Sequence, residues 1–366
     1  MPIPPPVNTA LNDLPTYQPG RPIEEVAREL GLPAADIIKL ASNENPLGPS
    51  PAALAAMKNV LANINLYPDG NAYYLRQKLS EQLHVPPANL ILGNGSNEII
   101  EFVGHAYMAP GVDVVVSQYC FLVYPLVTKA FGASLVTVPA KNYGHDLPAM
   151  LRAITPKTRV VFVANPNNPT GTVVPDRELE DFVRRTPSHV LLVLDEAYIE
   201  FLESPADFLS LVRRGTQANV LLMRTFSKIF GLAGLRLGYG IGHPDLVTLL
   251  EKTRQPFNTN SIAQAGALAA LEDAGHVRRT RENNRRGLQF FAAAFRQMKL
   301  EFIPSAANFI LVHVGEGQRV FEEMQKQGVI VRPMGGYQLG EWIRITIGKP
   351  GENEHCLVAL QKALRQ

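Results

Sequence analysis

Lys228 stands where a lysine can do covalent chemistry. It ends the segment Arg224-Thr225-Phe226-Ser227-Lys228, which follows the apolar residues 220–223 and precedes a glycine-rich stretch. A lysine amine that is partly desolvated and close to other cations has a lowered pKa, so it can attack a carbonyl to form an imine and then shuttle protons. Taken alone it would be an ordinary surface lysine. Asp195 gives it company, because that carboxylate comes straight after the apolar residues 190–194. Buried without a partner, such a group is costly. Asp195 therefore either caps a helix at the strand end or faces a protonated ring nitrogen, keeping the ring charged so that it accepts electrons from a carbanion. Tyr198, three residues on, offers a hydroxyl to a phenolate oxygen, or is simply a half-buried aromatic. Asn168, in Asn165-Pro166-Asn167-Asn168-Pro169-Thr170-Gly171, offers an amide for the same job, or is a turn residue.

A phosphate needs backbone N–H donors at a helix start and a nearby cation. Gly93-Asn94-Gly95-Ser96-Asn97-Glu98 supplies the first, as a strand, a glycine-rich turn and a helix over 98–107. Ser227 and Arg236 supply a hydroxyl and a guanidinium able to grip two oxygens. This is not the G-x-G-x-x-G pattern, so nicotinamide dinucleotide binding is disfavoured. The eight histidines show no ligand spacing and the two cysteines, Cys120 and Cys356, lie far apart, so neither a metal site nor a disulfide framework is expected.

The elements that must position these groups follow from periodicity. Between residues 70 and 240, β-branched runs at 90–92, 113–117, 134–138, 159–164, 190–194 and 220–224 alternate with helical segments. Val160-Val161-Phe162-Val163 and Val190-Leu191-Leu192-Val193-Leu194 are apolar throughout, as strands buried on both faces must be. That predicts an α/β fold with a mostly parallel sheet covered by helices, whose ligands bind beyond the carboxyl ends of the strands. Every candidate above lies just after such a run. Helices are also expected at 23–30 and 52–61, after an extended proline-rich N-terminal arm. Past residue 255 one long helical stretch, 261–298, leads into short strands at 309–314, 329–331 and 342–347 and a last helix. The organisation expected is an arm that joins the small domain over 1–45, a large domain over 46–255 and a smaller α+β domain over 256–366.

The rest of the chain excludes more than it adds. With 366 residues, 46% hydrophobic and 19% charged, it has the length to bury a large core. A formal net charge of +2 gives no reason to expect nucleic acid or an anionic membrane as partner. The basic stretch 278–286 includes Glu282 and reads as a solvated helix face. No apolar run is long enough to span a bilayer, and Met1-Pro2-Ile3-Pro4-Pro5-Pro6 is not a secretory signal, so a cytoplasmic enzyme is expected.

Asn-Pro-x-Asn-Pro-Thr-Gly, Asp-x-x-Tyr, Ser-Lys and Gly-Leu-Arg-x-Gly, in this order and spacing, resemble the fold-type-I pyridoxal-phosphate (PLP) aminotransferases. Finer features are similar to one branch, the histidinol-phosphate aminotransferases: residues 40–48, Tyr67-Pro68-Asp69-Gly70, Gly93 to Glu98, Val331-Arg332-Pro333-Met334 and residues 343–348. That branch makes L-histidinol phosphate from imidazole acetol phosphate, with glutamate as amino donor. By this resemblance Lys228 carries PLP, Asp195 pairs with its ring nitrogen, and Tyr198 and Asn168 hold its phenolate oxygen. Ser96, Asn97, Thr225, Ser227 and Arg236 surround its phosphate, and Tyr67 reaches that phosphate from the other subunit of a homodimer. Arg344 clamps the carboxylate of glutamate or the phosphate of histidinol phosphate, and Arg332 belongs to the same phosphate subsite. Tyr17 closes over the substrate, while Asn43 and Glu44 line its imidazole side. Phe121 stands where many members stack a tyrosine on the cofactor ring, keeping the stacking surface without the hydroxyl. An aromatic aminotransferase and a threonine-phosphate decarboxylase share this framework and remain alternatives. So do a non-catalytic PLP-binding module and, lacking its fingerprint, a nicotinamide-dependent oxidoreductase.

Overall fold

A computed structural model describes Leu14 and residues 20–365 of the chain. A short strand, β1 (Ile38–Lys39), runs parallel to a late one, β11 (Val329–Ile330). The main sheet holds β2 (Leu90–Gly93), β3 (Asp113–Ser117), β4 (Ser134–Val138), β5 (Thr158–Ala164), β6 (Leu191–Asp195), β7 (Val220–Thr225) and β8 (Gly238–Gly242), in the order β2-β8-β7-β6-β5-β3-β4. Its neighbours pair in parallel except around β8, which is antiparallel to both β2 and β7. The predicted α/β fold with a large, mostly parallel sheet is the one observed.

The wholly apolar runs are explained by what covers them. Val161, Val163, Leu192 and Leu194 enter one buried cluster, while Val160, Phe162, Leu191 and Val193 enter another on the opposite face. Alternate side chains of one strand thus meet two different helical layers, and neither face can be polar.

A second sheet, in the order β12-β13-β10-β9, is antiparallel throughout and contains β9 (Phe302–Ile303), β10 (Phe309–His313), β12 (Arg332–Pro333) and β13 (Trp342–Thr346). One face, through Ile310, Val312, Ile343 and Ile345, packs with Phe291, Phe295 and Leu360 of the late helices. Phe309, Leu311 and Trp342 instead join the cluster that backs the main sheet, so the two sheets share a core.

Several boundaries differ from expectation. The stretch 261–298 is two helices, Ser261–Glu272 and Ala274–Gln297; Asp273 separates them and caps the second by accepting from the His276 backbone N–H at 2.8 Å. A helix begins at Ser96 rather than 98, which puts Ser96 and Asn97 in its first turn. Strand β8 escaped the sequence reading because Gly238, Gly240 and Gly242 give it little strand propensity. The need for glycine is tertiary: a Cβ on Gly238 would overlap the backbone at Ser96.

Candidate active site

The chemistry-bearing residues gather at the carboxyl ends of β5, β6 and β7. In register, Ala164 of β5 lies opposite Asp195 of β6, and Asp195 opposite Met223 of β7. The turns leaving these three strands therefore emerge side by side, bearing Asn168, Tyr198 and Lys228 respectively. Each turn is fixed locally. After β5, the Asn165 side chain accepts from the Val174 N–H at 2.9 Å. After β7, the Thr225 hydroxyl accepts from the Ser227 N–H at 3.1 Å and donates to the Leu237 carbonyl at 3.4 Å. Gly231 then adopts a left-handed φ of +71° against Gly48, where any Cβ would overlap that residue's carbonyl.

Lys228 donates from Nζ to the Ser42 carbonyl at 3.4 Å and lies 5.6 Å from the centre of the Tyr198 ring. Burial pulls its amine down to about 8; Arg344 and Arg236 push the same way, while Glu44 and Asp195 oppose them. Asp195, only 6% exposed, accepts from the Tyr124 hydroxyl at Oδ2 (2.5 Å) and from the Ala197 N–H at Oδ1 (3.0 Å). Burial lifts its carboxyl to about 6 despite these donors. Tyr198 is buried, which raises its phenol, and its hydroxyl accepts from the Asn43 amide at 2.8 Å.

Beside this cluster lies a cradle for an anion. The helix Ser96–Tyr107 starts after Gly95, whose φ is +81°, and no side chain caps it. Arg236 lies over that end with Nη1 3.5 Å from the Ser227 hydroxyl; a Cβ on Gly95 would overlap the guanidinium. First-turn N–H groups, a hydroxyl and an arginine together suit a phosphate. An anion cradle, an amine lowered to about 8 and a buried carboxyl at the strand ends fit a phosphorylated pyridine aldehyde.

The opposite wall comes from the small sheet. Arg332 and Arg344 are directly opposed in the β12–β13 ladder, so both side chains leave the same face. Two guanidinium-bearing chains set side by side on one face suit an anion with several oxygens. Arg344, 7% exposed, donates to Asn168 Oδ1 at 2.7 Å and to the Ala41 carbonyl at 3.0 Å, with its guanidinium 5.1 Å from the Phe309 ring centre. A cleft of about 870 Å³ opens beside Arg332, between Gln118 and Lys129 on one side and Tyr337 on the other. Lys228 and Asp195 do not line it, so it adjoins the reacting centre rather than containing it.

The remaining candidates are spread more widely. Asn43 is buried with φ at +56°; its backbone N–H donates to the Thr346 hydroxyl at 2.9 Å, and that hydroxyl donates to Asn43 Oδ1 at 3.2 Å. Glu44 pairs with Lys39 at 3.0 Å. Phe121 meets Tyr124 edge-on at 5.7 Å. Tyr67 is 82% exposed and stacks on Phe257 at 4.7 Å. Tyr17 lies outside the described residues. Among those residues no group of side chains could hold a metal. Sequence reasoning missed Tyr124, Thr346 and Asn308, whose amide donates to the Asn43 carbonyl at 3.0 Å. Two of them left a trace: Tyr124 lies three residues after Phe121, in the first turn of the helix that follows it, and Thr346 lies two after Arg344, on the same face of β13.

Comparison with known proteins adds independent findings. The profile of aminotransferases of class I and II matches residues 35–360. Histidinol-phosphate aminotransferase of Akkermansia muciniphila is 53% identical over 358 residues, covering 98% of each chain. Histidinol-phosphate aminotransferase 2 of Pseudomonas fluorescens Pf-5 is 51% identical, covering 97% of this chain and 96% of its own. Among solved structures, histidinol-phosphate aminotransferase from Sinorhizobium meliloti in complex with pyridoxal-5′-phosphate superposes with a TM-score of 0.89 at 29% identity, covering 98% of this chain and 97% of that one.

Proposed function

Because the chain belongs to the class I and II aminotransferases, we propose that it transfers the amino group between L-histidinol phosphate and 2-oxoglutarate, the transamination of histidine biosynthesis. The cofactor in this reading is pyridoxal phosphate and the assembly is a homodimer. The observation that carries it is the meeting of a buried amine lowered to about 8, at Lys228, with two register-opposed arginines on the facing wall. An amine in that state can hold an aldehyde, and the arginine pair suits a substrate with a carboxylate or phosphate at one end.

When bound, pyridoxal phosphate supplies an aldehyde that carries the amino group and a ring that takes up the electron pair released at the substrate Cα. Lys228 Nζ holds the cofactor and moves the proton at the substrate Cα. Asp195 holds the proton on the ring nitrogen, and Tyr198 and Asn168 orient the phenolate oxygen. Ser96, Asn97, Thr225, Ser227 and Arg236 bind the phosphate, and Phe121 covers the ring. Arg344 takes the carboxylate of the amino donor, and with Arg332 it takes the phosphate of histidinol phosphate. Asn43 holds Tyr198 from the substrate side, next to Glu44.

The dimer is supported by the exposed Leu61, Ile64, Leu66, Tyr73 and Tyr74 around Tyr67, an apolar surface of the kind that a partner covers. In that dimer the partner subunit's Tyr67 reaches the cofactor phosphate. A cytoplasmic location accords with two free, buried cysteines.

Absorption titration of the cofactor-loaded protein tests the reading. L-Histidinol phosphate should bleach the visible cofactor band at lower concentration than glutamate, phenylalanine or O-phosphothreonine. A clear preference for phenylalanine reassigns the protein as an aromatic aminotransferase, carbon dioxide release from O-phosphothreonine as a decarboxylase. Absence of any visible band after adding pyridoxal phosphate overturns the cofactor assignment.

A further inference from the structure

Tyr124 is a fully buried polar residue that the reaction above does not use. It belongs to the helix Val123–Ala130. Its ring lies almost flat on Phe162 of β5, with centroids 4.4 Å apart and planes 7° from parallel. Phe121 closes the edge at 5.7 Å, and the Thr128 hydroxyl donates to the Tyr124 carbonyl at 2.7 Å. The ring is thus clamped, and its hydroxyl is aimed at Asp195 Oδ2, 2.5 Å away. A tyrosine used only for packing has no need of that aim, since phenylalanine fills the same space.

We propose that Tyr124 is a positioning residue for Asp195: its hydroxyl fixes the carboxylate and keeps it ionised toward the ring nitrogen of the cofactor. The proposal rests on the assignment of Asp195 to that nitrogen. One Asp195 oxygen is set by the Ala197 N–H of its own turn, the other by a hydroxyl from a different element. Two donors from two directions leave the carboxylate a single orientation. Tyr124 also decides which state it holds. Burial favours the neutral acid, and a neutral acid cannot stabilise a charged ring nitrogen; a donated hydrogen bond favours the carboxylate. Other charged or titratable groups act around the pair. Glu196, which Arg224 neutralises at 2.7 Å, and Tyr198 come from the same turn, Lys228 from the end of β7, and Cys120 from just before the Tyr124 helix. Of these, Tyr124 alone puts a side-chain proton on Asp195.

The proton is conserved throughout. Removing the hydroxyl makes Asp195 a stronger base, so the proton shared with the ring nitrogen moves toward Asp195 and away from the ring. Nitrogen NMR of the holoenzyme, loaded with cofactor carrying ¹⁵N in the ring, reads this directly. Tyr124→Phe keeps the stack on Phe162. It should move the ring-nitrogen signal toward its unprotonated position and raise the acid limb of kcat by about one pH unit. The KM for the amino donor should not change. Replacing Tyr124 by 3-fluorotyrosine retains the hydroxyl, strengthens it as a donor and should shift the signal the other way, which tests the idea even if the phenylalanine variant folds poorly. An unchanged ¹⁵N signal in folded variants overturns the proposal and makes Tyr124 a packing residue. An unprotonated ring nitrogen in the unmodified holoenzyme would instead overturn the role given to Asp195, a separate failure.

Discussion

The two ends of the site are built differently. At the cofactor end, each group lies within a few residues of a strand of the main sheet: Asn168 after β5, Asp195 and Tyr198 at and after β6, Thr225, Ser227 and Lys228 at and after β7. At the substrate end, the contacts join segments far apart in the chain. Asn43 meets Thr346 across 303 residues, and Arg344 meets Asn168 across 176. In the proposed reading the first end handles what every amine substrate has in common, and it hangs from a sheet buried on both faces. In that reading the second end recognises the anion that distinguishes one substrate from another; it is assembled from the segment around β1 and the small sheet, and Arg344 ties it to Asn168 of the first. A scaffold of this kind can change its substrate through the second end while leaving the first untouched.

The largest effect should come from the cofactor end. Lys228→Ala removes the amine that in the proposed reading holds the cofactor and moves the proton, so multiple turnover should fall by at least about 10⁴-fold for every amine tested. Steady-state rates with histidinol phosphate and glutamate check this; substantial turnover in the variant would remove Lys228 from the chemistry.

Arg344→Ala should separate the ends. It takes a buried, hydrogen-bonded cation from the substrate wall and leaves Lys228 in place. Losing one partner of such a contact costs about 2–5 kcal/mol, or roughly 30-fold to several thousand-fold in kcat/KM. Arg332→Ala should cost histidinol phosphate about tenfold and spare glutamate, because the doubly charged phosphate needs both cations more than a carboxylate does. Equal losses on both substrates would mean that the facing arginines act as one unit.

How much of this could be read from the sequence follows the same division. Asp195 announces itself because a charge that directly ends an apolar strand is costly to bury unless a partner meets it, whereas Lys228, three residues past the end of β7, stands out only in that company. The glycine cradle was legible for a local reason too, since Gly93 and Gly95 precede a helical period. Strand β8 was not, because its glycines answer to Ser96 and Ile91 across the sheet rather than to any local preference. The break at Asp273 was hidden by helical periodicity on both sides of it. Asn43 was assigned to the substrate, yet its amide is directed at Tyr198, a contact that no local pattern encodes. Tyr124 looked like one more apolar position of its helix; only the fold brings it to Asp195.

A smaller effect concerns the state of Lys228 before any cofactor is bound. Its amine is lowered to about 8 from an ordinary 10.5, chiefly by burial. At pH 7 about a tenth of it is neutral and at pH 8 about half, so capture of pyridoxal phosphate by the cofactor-free protein should speed up roughly fivefold between pH 7 and pH 8, about twofold more by pH 9, and then level off. Stopped-flow absorbance measures that rate, and a rise continuing past pH 10 would mean an unperturbed lysine. The sign for stability agrees. Between about 8 and 10.5 the unfolded chain binds the proton that the folded chain has released, so this group makes the fold more stable as pH rises through that window.

The smallest and sharpest test lies at Asn43, which touches both ends at once. Its amide donates to the Tyr198 hydroxyl of the cofactor end, and its backbone N–H and side-chain oxygen both contact Thr346 beside Arg344. Asn43→Ala leaves two buried hydroxyls short of a partner, at about 1–3 kcal/mol of stability. Its φ of +56° adds to the cost, since alanine tolerates that conformation less well than asparagine. If the ends are independent, turnover should fall only a few-fold, and by the same factor for glutamate and histidinol phosphate, because Tyr198 is loosened for both. If Asn43 couples the ends, the loss should grow with the charge on the substrate, since Thr346 and the arginine beside it would lose their register with Tyr198. A double-mutant cycle of Asn43→Ala with Arg344→Ala separates the cases: additive losses leave two modules, and a coupling energy above about 0.5 kcal/mol makes them one.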